Sequence, residues 1–161
     1  MLKIEGLAPC DGSTVEVDPW VPLKVSWHVG RDVQPLYLLI TGTSGGYLEL
    51  KVHPESGAFL SLTIIDLPLE VECAELQAPG EVFDSLVPVL DVTAWDMNQV
   101  ATERRVVRSE SEMTYSRSPE RFVLGFSTES PESNVRCGSV AIEISKSGAL
   151  VRLIAATDDA T

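Results

Sequence analysis

The sequence predicts a mainly β protein, an antiparallel β-sandwich or partly open barrel with at most one or two short helices. Three observations carry this reading. Apolar and polar residues alternate with period two in several short runs. Pro and Gly punctuate those runs at Pro19, Pro22, Gly30, Pro35, Gly42, Pro79-Gly80 and Pro119. Stretches with helical periodicity are scarce.

Taken in chain order, Leu2–Leu7 is the first strand candidate and Val21–Val29 the second. In the second, Leu23, Val25, Trp27 and Val29 share one parity, which assigns Trp27 to the core. PLYLLIT (35–41) is the third. The Gly42-Thr43-Ser44-Gly45-Gly46 run that follows lacks the GK[ST] ending of a phosphate loop and leads into a strand, so it reads as a hairpin connection. Leu48, Leu50 and Val52 then alternate with polar neighbours, and so do Leu60, Leu62 and Ile64 after the turn Pro54-Glu55-Ser56-Gly57. Gly57 stands where such a turn demands a positive φ. Leu69–Leu76 is a further strand candidate. Glu81–Leu86 reads as one helical turn. Asp96–Arg105 reads as a short helix capped by Asp96, or as a loop into the next strand, Val106–Tyr115. RFVLGFST (121–128) precedes a second hairpin, in which Val140, Ile142 and Ile144 pass through Ser145–Gly148 to Val151 and Leu153. Thr157–Thr161 is a tail.

The two hairpins align at their glycines, SGAFLSLTI against SGALVRLIA, and PLYLLIT aligns with RFVLGFST. We read this as a weak internal duplication of a three-stranded meander, although any two hairpins share such patterning. The length of 161 residues suits a single domain, 1–161, with pseudo-repeats at 1–88 and 89–161.

The formal charge of −12 argues against nucleic acid and against anionic membrane surfaces as partners. No apolar run reaches the length of a membrane span, and the N-terminus MLKIEGLAPCDGST lacks a signal-like apolar core. Cys10, Cys73 and Cys137 are an odd number with no CxxC pair, so they are expected as free, packed thiols in a cytoplasmic protein.

Charge is uneven. No Lys or Arg occurs between Val52 and Glu103, a stretch with ten acids, and Arg104, Arg105 and Arg108 follow it at once. If Leu69–Leu76 is a strand, Glu70 and Glu72 share a face. A coherent negative surface would steer a cationic partner.

His28 and His53 belong to no metal-ligand cluster and there is no GxSxG elbow. No catalytic residue, metal or cofactor is therefore assigned, and the chain is expected not to be an enzyme. The expected function is that of an acidic binding protein engaging a basic protein, such as a toxin or nuclease. In size and charge, though in no motif, it resembles immunity or inhibitor proteins of bacterial toxin systems. Glu70, Glu72, Glu75, Glu81 and Asp84 would meet the partner's cations, with Phe83 or Trp95 as an apolar anchor. The alternatives are a carbohydrate- or small-ligand-binding sandwich, for which Trp20 is the tryptophan least protected by pattern, and a structural or assembly subunit.

Overall fold

The computed structural model describes residues 2–73, 76, 80–95 and 105–157. Its strands are β1 (Ile4–Pro9), β2 (Ser13–Glu16), β3 (Leu23–Trp27), β4 (Leu36–Gly42), β5 (Tyr47–Val52), β6 (Phe59–Asp66), β7 (Leu69–Glu70), β8 (Glu81–Asp84), β9 (Leu86–Leu90), β10 (Val106–Ser111), β11 (Thr114–Arg117), β12 (Arg121–Gly125), β13 (Pro131–Cys137), β14 (Val140–Ser145) and β15 (Leu150–Ala156). A short 3₁₀ turn, Val92–Ala94, follows β9.

The strands form a sandwich-like arrangement of two large sheets. One has the order β10-β4-β5-β6-β3-β2, the other β7-β11-β12-β15-β14-β13-β8, and β1 pairs with β9 alone. Most pairings are antiparallel, but three edge strands join in parallel: β10 on β4, β7 on β11 and β8 on β13. The alternation seen in sequence becomes burial. Leu23, Val25 and Trp27 of β3 and Leu48, Leu50 and Val52 of β5 face inward. So do Phe122 and Leu124 of β12 and Val140 and Ile142 of β14, and the buried residues of both sheets make one hydrophobic cluster.

The β5–β6 turn behaves as its sequence predicts. Gly57 has φ +78°, and a Cβ there would stand 2.0 Å from the carbonyl oxygen of Leu90, so both conformation and space require glycine. The 42–46 connection closes the β4–β5 hairpin, with Gly42 N–H donating to the Gly46 carbonyl.

Several expectations are corrected. Glu81–Asp84 is strand β8, not a helical turn, because it pairs in parallel with β13. The run Val106–Tyr115 is two strands in different sheets, broken at Glu112-Met113. The helix or loop expected at Asp96–Arg105 lies, but for Arg105, outside the described residues. The hairpins β5–β6 and β14–β15 both form, yet the third strands differ: β4 sits beside β5, whereas β12 sits beside β15.

The cysteines are not all free. Cys10 and Cys137 are joined in a disulfide with a Cα–Cα distance of 6.3 Å, and both are buried. The bond ties the link before β2 to the end of β13, and Ser13 Oγ donates to the Cys137 carbonyl beside it at 2.7 Å. Cys73 is free and exposed. The odd count concealed the pair because the partners are 127 residues apart.

Candidate functional site

The residues expected to form one acidic face are divided between two sheet edges. Glu70 lies on β7 and Glu81, Phe83 and Asp84 lie on β8, at opposite ends of the seven-stranded sheet. Six strand spacings put these edges about 29 Å apart, well beyond the ~8 Å screening length at physiological ionic strength. Strand β7 ends at Glu70, so the shared parity of Glu70 and Glu72 does not place them together. Glu70 Oε2 accepts a 2.5 Å hydrogen bond from the Tyr115 hydroxyl, while Glu72 lines a groove with Thr114 and Ser116. Glu75 lies outside the described residues. Glu70, Glu72, Glu81 and Asp84 are exposed, and none is in an ion pair among the described residues. Phe83 is half-buried. Trp95 is no surface anchor, since it is buried and its Nε1–H donates to the Tyr37 carbonyl at 3.0 Å.

The Glu70 bond has an electrostatic consequence. It holds the Tyr115 phenol above its ordinary pKa of 10.0, since ionising the phenol would set two anions against each other; partial burial adds to the effect. The Tyr115 ring stacks on Phe122, with centroids 5.4 Å apart. Both histidines do local work. His53 Nδ1 accepts from the N–H groups of Glu55 and Ser56, fixing the β5–β6 turn. His28 Nε2 lies 3.2 Å from Thr14 Oγ1.

The most conspicuous surface side chain is Trp20, which is 90% exposed, whereas Trp27 and Trp95 are 5% and 4%. It stands on the turn between β2 and β3. Asp18 builds that turn: its Oδ1 accepts from the N–H groups of Trp20 at 2.8 Å and Val21 at 2.7 Å, and its own N–H donates to the Val21 carbonyl. Pro19 fixes one φ between them. Glu16, Val17 and Asp18 are exposed alongside, so the tip presents an indole, an aliphatic group and two carboxylates. Pattern alone marks Trp20 only as unprotected; the signal that places it in solvent is the Asp18-Pro19 turn chemistry beside it.

No group of three or more His, Cys, Asp or Glu side chains suited to a metal occurs among the described residues. Also among the described residues, no helix is long and apolar enough to cross a membrane. No protein-family model matches the chain, and no curated protein matches it in sequence.

Proposed function

We propose that this chain is an acidic binding protein that captures a basic protein segment, and that the contact runs through the β2–β3 turn. The observation that carries the reading is Trp20, held almost fully in solvent by a self-bonded turn and flanked by the carboxylates of Glu16 and Asp18. An indole face attracts Arg and Lys cations, worth about 2 kcal/mol once water is excluded. Ordering the loop in advance removes part of the entropic cost of binding. The net charge of −12 adds long-range steering toward a cationic partner. The Cys10–Cys137 disulfide supports an oxidising compartment for this encounter, in place of the cytoplasm.

The test uses an oligo-arginine peptide, with oligo-glutamate as control. Because Trp20 is the one exposed indole, binding is read from its fluorescence. Oligo-arginine should bind with salt-weakened affinity. Trp20→Ala, followed by calorimetry, should lose about thirtyfold, the equivalent of ~2 kcal/mol. Equal binding by wild type and Trp20→Ala would refute the site. Quenching of Trp20 by neutral glycans rather than by cations would favour the carbohydrate reading instead.

A further inference from the structure

The outward face of the seven-stranded sheet carries a polar row. Asn134, Glu143, Arg152, Gly125 and Thr114 are successive cross-strand partners on β13, β14, β15, β12 and β11. Such a row on the side away from the core would ordinarily be wet, yet Glu143 is only 1% exposed. Its carboxylate accepts from Arg152 Nε in a short charge-assisted bond. That bond uses one of the five N–H donors of the guanidinium. Among the described residues, no acceptor takes the other four. The bond through Nε leaves the two terminal nitrogens as the remaining donors of the group.

Arg152 divides two adjoining cavities. One, of about 160 Å³, is walled by Thr114, Ser116, Ser127 and Glu72. The other, of about 400 Å³, shares Ser127 and continues over Thr128, Glu129 and Ser130, so that a second carboxylate lines the groove on this side. The smaller has the side-chain-free Gly125 in its lining, where a Cβ would lie 2.7 Å from Thr114 Oγ1. It is therefore a space that a larger residue in that position would close.

We propose that this groove is a binding site for a small monocarboxylate. The guanidinium fork of Arg152 takes the carboxylate, since its planar donors match two carboxylate oxygens, and the hydroxyls of Thr114, Ser116 and Ser127 supply further donors. Glu72 on the same wall repels a second negative charge, which selects a single carboxylate with a hydroxyl or amine at its far end. The smaller cavity, of about 160 Å³, lies below the range of drug-sized pockets, so the ligand seated there is a free hydroxy or amino acid or the C-terminus of a peptide. This site is independent of the Trp20 turn, which lies on the other sheet.

The experiment is a nuclear magnetic resonance titration of the intact, oxidised protein with lactate, lactamide and succinate. A second pair of probes is a tripeptide with a free or an amidated C-terminus. Lactate should move the Gly125 and Ser127 amides and the Arg152 Nε–H saturably, lactamide should not, and succinate should bind more weakly. If only the free-ended tripeptide binds, the source is a peptide terminus. Removing Arg152 alone would strand a buried carboxylate, so the charge is removed as Glu143→Gln with Arg152→Gln. That pair should abolish the response. Ser127→Ala, which leaves the ion pair intact, should weaken binding threefold to tenfold and carries the test if the double variant does not fold. Equal response to lactate and lactamide, no response at these amides, or wild-type binding by Ser127→Ala would overturn the proposal.

Discussion

Reduction of the Cys10–Cys137 bond is the perturbation whose size follows most directly from the structure. The bond closes a loop spanning 127 residues, nearly the whole chain. In the chain-entropy treatment, such a loop restricts the unfolded ensemble by about 5 kcal/mol at room temperature. A chain of 161 residues has a melting entropy of about 340 cal/mol/K, so the loss corresponds to a fall in Tm of about 15 °C. The assay is scanning calorimetry with and without reductant, paired with thiol titration. Native oxidised protein should show one reactive thiol, Cys73, and reduced unfolded protein three. Cys10→Ala with Cys137→Ala should melt near the reduced wild type, somewhat lower because two buried sulfurs are also lost. A Tm unchanged by verified reduction would refute the argument, since it would mean that this tie restrains nothing the rest of the fold does not. Three reactive thiols in native, unreduced protein would refute the pairing itself.

Two smaller perturbations follow from local geometry. Ser85, between β8 and β9, is the one non-glycine residue with a positive φ, +59°, among the described residues; Ser85→Gly should relieve the side-chain clash and raise stability by about 1 kcal/mol in urea denaturation. The raised pKa of Tyr115 means that the fold favours the protonated phenol, so its stabilisation is complete below the unfolded value near 10.0 and is lost as pH rises through the folded value. Absorbance titration should show Tyr115 ionising above the ordinary value of 10.0, and Glu70→Gln should remove that delay; a titration unchanged by Glu70→Gln would exclude the bond as its cause.

The sheet core was legible because period two maps directly onto burial. Leu48, Leu50, Val52, Val140 and Ile142 all face inward as their spacing requires. The strands that escaped notice lack that signature. Strand β13, PESNVRC, is polar for most of its length, and β9, LVPVL, contains a proline, which ordinarily argues against a paired strand. Neither is short of structural reason: β13 lies between β14 and β8, and β9 packs on β1. The pairings of β13 with β8 and of β9 with β1 join segments remote in sequence, which local alternation cannot display. The disulfide was hidden for the same reason. The groove around Arg152 was illegible because its residues come from four strands, the loop after β12, and Val71, Glu72 and Leu76.

The dispersal of the acidic stretch and the joining of the two sheets have one cause. Sequence halves do not map onto sheets. Strands β7 and β8 leave the first half to form both edges of the seven-stranded sheet, and β10 leaves the second to form an edge of the six-stranded one. A segment whose strands serve opposite edges cannot present one face, however continuous its charge in sequence. The same exchange makes each sheet incomplete without chain from the other half, and the Cys10–Cys137 bond closes that arrangement covalently. Negative charge spread around the rim then acts as a diffuse field rather than a docking face. The two recognition sites proposed above, the Trp20 turn on one sheet and the guanidinium groove on the other, rest on local geometry instead of on that field.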